Sequence, residues 1–315
     1  MFDYNYNPGT CTLNITLPKR MEYGFDFMND ISEMIKNIHN KKKGPCNVIR
    51  ISCQKEPEYD KMCKVYLYNV LRNLCTYHKI LWSYELNGVI TSSVSTAVGS
   101  KFEEINLPKA VVADKLSDYR FENDESVNKP VEEIVKIVVE KNFTIQEKEL
   151  KEFLTTTIGE IFSNAFLHSE KEETFFFYDI ESINDDYYLC VTVIDYGNTI
   201  VHNVKEFFEK EKMGVISSQE CIAWAIAEMN TTRKGSGGYG LPTLIDYVKG
   251  VCGELIILSG DAYYRLTRKK ANTGNTAGYF LGTSVMFRIK LFETNNIIAY
   301  DKNNEKLISI SLENL

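Results

Sequence analysis

Hydrophobic and polar positions along the chain fall into two kinds of segment: short apolar runs rich in β-formers, and longer runs with a helical period. Residues 11–17 (CTLNITL), 46–53 (CNVIRISC) and 80–86 (ILWSYEL) read as strands. Between them, 21–38 and 59–78 read as helices, the first with Phe25, Met28, Ile31, Met34 and Ile35 on one face. This alternation predicts a small α/β domain over residues 1–115, a sheet covered by helices. Residues 116–130 are charged and polar and end in Pro130, a linker composition, and 131–141 reads as a connecting helix.

The second half, 144–292, opens on the strongest helical signal of the chain. Leu150, Leu154, Ile158, Ile161 and Ala165 give a core-facing stripe over 151–170, with Thr144 and Glu147 as a capping box at its start. Glu160, Asn164 and His168 are spaced by four and share another face, which is either a solvated stripe or a set of groups aimed at a ligand. Residues 174–180 (TFFFYDI) and 187–194 (YYLCVTVI) form a predicted hairpin through Asn184-Asp185-Asp186, leading to Asp195 and Gly197. Residues 219–230 look helical, and a glycine-rich stretch with Lys234, Gly235, Gly237, Gly238 and Gly240 enters an apolar helix over 241–248. Strands are expected at 254–260, 261–268 and 279–291, with a polar loop at 269–278 and a tail over 293–315 that adds a strand at 307–312.

Composition narrows the class without naming a chemistry. At 315 residues, 44% hydrophobic and 25% charged, the chain is long enough for two ordinary domains, each with a core. No apolar run approaches the ~20 residues of a membrane span. The start, MFDYNYNPGTC, has no basic region followed by an apolar stretch, so a cytoplasmic setting is expected. The eight cysteines are scattered singly, with no metal-ligand spacing, and read as small packed hydrophobes. A net charge of −7 with only short basic runs disfavours nucleic acid as the main partner.

Four segments of the second half, in order, carry a family resemblance. Asn164 and Glu160 on the long helix, Asp195 and Gly197 at a strand end, KGSGGYGL before a helix, and Gly282-Thr283 in a late strand are similar to the N, G1 and G2 boxes and terminal Gly-Thr of the GHKL superfamily. That superfamily of ATP-binding domains groups gyrase, heat-shock chaperones, histidine kinases and mismatch-repair ATPases. The resemblance implies a sandwich of a mixed, largely antiparallel sheet and helices, α+β in class, binding ATP with Mg²⁺. It also implies roles: Glu160 as the base that activates water, Asn164 on the metal, and Asp195 with Thr283 around the adenine. The phosphates would fall to His168, Lys234 and the glycines at 235, 237, 238 and 240. Thr199 stands where the DxGxG pattern has its second glycine, a departure that bears on the lid between 197 and 235.

Asn164-Ala165-Phe166-Leu167-His168 is the Asn-Ala-x-x-His sequence of anti-sigma-factor serine kinases. The first domain in turn resembles STAS-like domains, the partners of such kinases, with Ser52 as the serine to examine; a generic α/β docking unit is the alternative. His39 and His78 lack the His-Glu setting of a histidine-kinase phosphoacceptor, and only a short tail follows where gyrase-like enzymes supply a lysine. Three functions stay open: an ATPase switching its N-terminal domain or a partner, a protein serine/threonine kinase, and a nucleotide-binding module without catalysis. A protein partner or a homodimer is expected in each.

Overall fold

The structure, a computed structural model, describes residues 2–40, 44–53, 58–86, 89–94, 119–120, 128–140, 147–169, 174–183, 186–232, 238, 240–268, 270–291, 296–301 and 306–311. It is mixed α/β, with two five-stranded sheets and, among the described residues, seven α-helices. Two compact units separate near residue 116: Met1–Leu116 with Gly260–Ala262 and Asn275–Leu281, and Ser117–Ser259 with Tyr263–Gly274 and Gly282–Leu315.

The first unit contains β1 (Asp3–Asn7), β2 (Thr12–Thr16), β3 (Arg20–Met21), α1 (Phe25–Ile38), β4 (Val48–Cys53), β5 (Glu58–Tyr59), α2 (Lys61–His78), β6 (Leu81–Leu86) and β7 (Val89–Val94). Strands β2, β4 and β6 run parallel, as strand-helix-strand connections demand, and β1 and β7 close the two edges antiparallel. The edge strands go beyond the sequence reading: DYNYN has only tyrosines as its large apolar residues, and VITSSV has one apolar pair followed by three polar residues. Ser52 lies inside β4 opposite Thr16, its Oγ 3.4 Å from both Thr16 Oγ1 and the Ile15 carbonyl. It is therefore a half-buried sheet residue. Helix α1 starts four residues later than expected, since Met21 is spent on β3.

Segment Asn275–Leu281 also belongs to this unit. Lys36 Nζ donates to the Ala277 carbonyl at 2.8 Å, and Ala277 N–H donates to Asn29 Oδ1 at 2.8 Å. Gly278 lies so close to the Ser32 backbone of α1 that no Cβ fits there. Phe280 is fully buried beside Tyr66 of α2, ring centroids 6.1 Å apart, and Tyr66 meets Phe27 of α1 edge-on at 5.7 Å.

The second unit contains β8 (Tyr119–Arg120), α3 (Asn128–Glu140), α4 (Glu147–Ser169), β9 (Thr174–Ile183), β10 (Asp186–Asp195), α5 (Ile200–Lys210), α6 (Ser218–Ala225), α7 (Gly240–Gly250), most of β11 (Glu254–Thr267) and β12 (Lys270–Leu291), and the hairpin β13 (Asn296–Asp301) and β14 (Lys306–Ser311). The sheet order is β11-β12-β10-β9-β8, with β10 antiparallel to both β12 and β9. Within the stretch expected to be linker, Tyr119–Arg120 form β8, paired with β9; the connecting helix expected at 131–141 is α3, which begins at Asn128 and buries Val131, Ile134, Val135 and Val138. The capping residue Thr144 lies outside the described residues.

Alternation along β12 sends Thr283, Val285 and Phe287 to one face and Ser284, Met286 and Arg288 to the other. On the first face, Phe153 of α4 stacks on Tyr247 of α7 at 3.4 Å and meets Phe287 edge-on at 5.9 Å. On the second, Arg288 bridges Glu181 of β9 at 2.9 Å and Glu254 of β11 at 2.7 Å, an ion triad spanning the sheet.

Three sequence readings need correction. The strands expected at 254–260 and 261–268 are one strand, β11, carried through Gly260 at φ +61. Of the polar loop expected at 269–278, the described residues 270–278 belong to β12. Its polar residues are used rather than merely solvated: Asn272 Nδ2 donates to Tyr263 Oη at 3.1 Å, and Gly274 leaves room for the Tyr263 ring. A helix, α5, occupies part of the expected lid, and α6 ends at Ala225, five residues short of the helical run read there.

Phe280→Ala is expected to destabilise the first unit by about 3–5 kcal/mol, because it empties a buried aromatic contact. Urea unfolding followed by circular dichroism checks this. A loss below about 1 kcal/mol, the range of ordinary surface changes, contradicts the packing of this segment.

Candidate functional site

In the second unit, α4, the end of β10, α5, α6, the start of α7 and β12 enclose a cavity of about 260 Å³. Six of the residues singled out in the sequence line it: Glu160, Asn164, Asp195, Gly238, Gly240 and Thr283. They come from four separate segments, so folding, and not local spacing, brings them together. Gly197 is not in the wall but meets it through its N–H, which donates to Asp195 Oδ1 at 3.0 Å. His168 lies on α4, one turn beyond Asn164, and its side chain is outside the described residues, as are Lys234, Gly235 and Gly237.

The floor is set by strand register. Asp195 on β10 faces Thr283 on β12 and Thr174 on β9, so their side chains share one face of the sheet. Gly282 lies against the Asp195 carbonyl and the Tyr196 Cα so closely that a Cβ would overlap both. Ser259, fully buried on β11, sits 2.8 Å from Thr283 Oγ1, donates to the Gly282 carbonyl at 3.3 Å and accepts the Ile200 N–H at 2.8 Å. One hydroxyl thus fixes the Thr283 rotor and the first turn of α5. The Thr174 hydroxyl beside Asp195 is buried without a hydrogen-bond partner among the described residues.

Asp195 is only 7% exposed, and among the described residues it makes no ion pair. Its carboxylate accepts backbone N–H groups from Gly197 and Thr283, which favour the charged form. Burial outweighs them and pushes the group up to about 7. A buried carboxylate of this kind, open to a cavity, suits a ligand edge that donates hydrogen bonds.

Thr199 has a local task that explains its departure from the glycine pattern. Its Oγ1 accepts the His202 N–H at 2.9 Å, capping α5. Glycine at this position would free the backbone; threonine stops it. Helix α5 then buries Val201 and Val204. The i, i+1, i+4 spacing of Ile200, Val201 and Val204 was readable in the sequence.

At the other end of the cavity, Glu160 faces Gly240, the first residue of α7, where an added Cβ would stand 2.7 Å from Glu160 Oε2. The carboxylate therefore rests at the electropositive end of an eleven-residue helix. Gly238, at φ +85, packs on the Asn230 backbone, where only glycine fits and only glycine is unstrained. Asn164 and Glu160 supply hard oxygen donors suited to Mg²⁺, a metal that keeps waters and needs few protein ligands beside phosphates. Among the described residues no three His, Cys, Asp or Glu side chains cluster as a metal site. No described helix is long and apolar enough to cross a membrane. Sequence reasoning passed over Ser259, Thr174 and Trp224, because a serine in an apolar strand, or a tryptophan in a helix, carries no motif.

The raised Asp195 group makes stability depend on pH. Between the unfolded value of 3.8 and about 7, the folded chain keeps a proton that the unfolded chain has released. Its contribution is complete below the unfolded value and is lost as pH rises through about 7. Unfolding free energy is thus expected to fall by roughly 1.4 kcal/mol per pH unit within that window, and Asp195→Asn to remove this component. Urea titrations of both proteins from about pH 5 to about pH 8 check it; parallel curves contradict the assignment.

No known protein-family model matches the chain, and no curated protein is similar to it at a significant level.

Proposed function

We propose that the second unit is a GHKL-type sandwich that binds a magnesium-bound nucleoside triphosphate, ATP, and hydrolyses it, acting as a nucleotide-dependent switch on its N-terminal unit or on a partner protein. The observation that carries this reading is the meeting of Glu160, Asn164, Asp195, Gly238, Gly240 and Thr283 around one cavity, in the order of the four boxes along the chain. Asp195, ionised, accepts the exocyclic amine of adenine, and Gly282 leaves the base edge room to approach. Thr283, oriented by Ser259, completes the contact. The glycines before α7 and the N-terminus of that helix receive phosphate oxygens. Asn164 holds Mg²⁺, which supplies charge neutralisation on the phosphates. Glu160 takes a proton from water as its oxygen attacks the γ-phosphorus; the bridging P–O bond breaks, releasing ADP and inorganic phosphate.

A second reading, phosphoryl transfer to a protein serine, is favoured by the run Asn164-Ala165-Phe166-Leu167-His168 and by the parallel β2·β4·β6 core of the first unit. In that case Glu160 deprotonates a hydroxyl instead of water. Phosphate release from ATP alone supports hydrolysis, and label transfer to a protein serine supports the kinase. Tight nucleotide binding with neither activity leaves a passive binding module.

Calorimetry and phosphate release test the main reading. Wild type is expected to bind ATP with Mg²⁺, more tightly at about pH 8 than at about pH 6, because the amine needs the ionised form of Asp195. Glu160→Ala is expected to keep binding and to lose turnover by about a hundredfold or more. Turnover unchanged by that substitution removes the base assignment, and absence of nucleotide binding removes the reading.

A further inference from the structure

One wall of the cavity is made by a residue that no motif includes. Trp224 on α6 is half-exposed and lines the same space as Asp195 and Thr283. Its ring packs against two phenylalanines of α5 that are not themselves in the lining: Phe207 at 5.4 Å and 34°, and Phe208 edge-on at 5.8 Å and 85°. The helix that carries it is held at both ends. Ser217 and Glu220 form a reciprocal capping box at the start, and Asn230 Nδ2 donates to the Trp224 carbonyl at 2.9 Å past the end. Helix α5, carrying the phenylalanines, begins five residues after Asp195 and is pinned there by Thr199 and Ser259.

A half-exposed indole held against two phenylalanines at the wall of a cavity is a poor use of the largest apolar side chain, unless something flat covers what it leaves exposed. The cavity supplies the complementary part: a carboxylate and a hydroxyl inside, able to read the edge of a ring but not its face. We infer that Trp224 is the stacking surface for the base of the bound nucleotide, so that the base is held by its face on the indole and selected at its edge by Asp195. This rests on the nucleotide reading above and adds a residue to it. Stacking does not distinguish one base from another, since each presents a π-face. Affinity and selectivity therefore separate: Trp224 sets how tightly any base is held, and Asp195 sets which.

Adenosine, ADP and inorganic tripolyphosphate, titrated by calorimetry and by tryptophan emission, test this. The chain has two tryptophans, and Trp82, buried in the first unit, serves as an internal reference. Adenosine and ADP are expected to change the emission of wild type, and tripolyphosphate to leave it unchanged. The change is expected to vanish in Trp224→Phe, which should nevertheless keep most of the affinity because phenylalanine still offers a ring. Trp224→Ala is expected to weaken adenosine and ADP by a similar factor, roughly tenfold to a hundredfold. A merely structural role predicts instead that Trp224→Phe and Trp224→Ala fall together with melting temperature. Nucleotide binding by wild type, with affinity unchanged within about twofold in Trp224→Ala, overturns the stacking role and leaves the nucleotide reading standing. Emission that responds equally to tripolyphosphate also overturns it. Absence of any adenosine or ADP binding to wild type overturns both.

Discussion

The cavity depends on one close approach: the backbone of Gly282 against the carbonyl of Asp195. A side chain at 282 would occupy the space of the β10 terminus, so the end of β10 lies against the middle of β12 only because there is none. Their meeting sets the antiparallel register that faces Asp195 with Thr283. From that register follow the two N–H groups on the carboxylate, the contact of Ser259 with Thr283, and the start of α5 at Ile200. The floor of the site is thus a backbone arrangement, with side chains placed by it, and its geometry is stiffer than one assembled from loops.

That stiffness has an energetic cost, which the fold carries elsewhere. Asp195 is buried without a cation among the described residues, and Thr174 beside it has an unanswered hydroxyl. Buried polar groups of this kind cost stability unless paired, and they concentrate where a protein is shaped for something it must still bind. The compensation lies along the same elements. Helix α4 buries Phe153, Leu154, Ile158 and Ile161 on one side, with Phe153 clasped by Tyr247 and Phe287. Glu160 and Asn164 lie at the edge of this buried arc, and Ile161 lines the cavity beside them. On the far face of the sheet, Arg288 satisfies carboxylates on two other strands. The aromatic cluster and the cavity share one face of the sheet, and the ion triad occupies the other.

What was legible in the sequence was what period and punctuation encode. The apolar stripe of α4 fixes which of its residues face outward, and the alternation of β9 and β10 delivers Asp195 to a strand end. The βαβαβ order gave the parallel centre of the first sheet. Longer-range facts left no local trace. Within polar residues 270–278, Ala277 is held by α1, whose Asn29 and Lys36 lie 248 and 241 positions away and so in no window of sequence. Thr199 looked like a defect in a glycine pattern and is a helix cap, since the lid of the family pattern was assumed where α5 in fact begins. Ser259 and Trp224 act through residues from 24 to 59 positions away or across helices, a separation at which composition says nothing.

The placement of Glu160 connects the packing to the chemistry proposed for the site. Its carboxylate lies at the first residue of α7, where a helix end carries partial positive charge and unpaired N–H groups. A polyphosphate reaching the same end brings more negative charge than one carboxylate, so it is the stronger claimant for those N–H groups. Once it is bound there, Glu160 is left beside the terminal phosphate without the helix end as its partner. A proton donor such as water, held between the two, would then satisfy the carboxylate. Gly240 is what permits both arrangements, because the missing Cβ leaves space for the Glu160 side chain at the very residue where the helix begins. The same glycine that lets α7 pack against α4 therefore also keeps the Glu160 carboxylate at the helix end, where the proposed chemistry would need it.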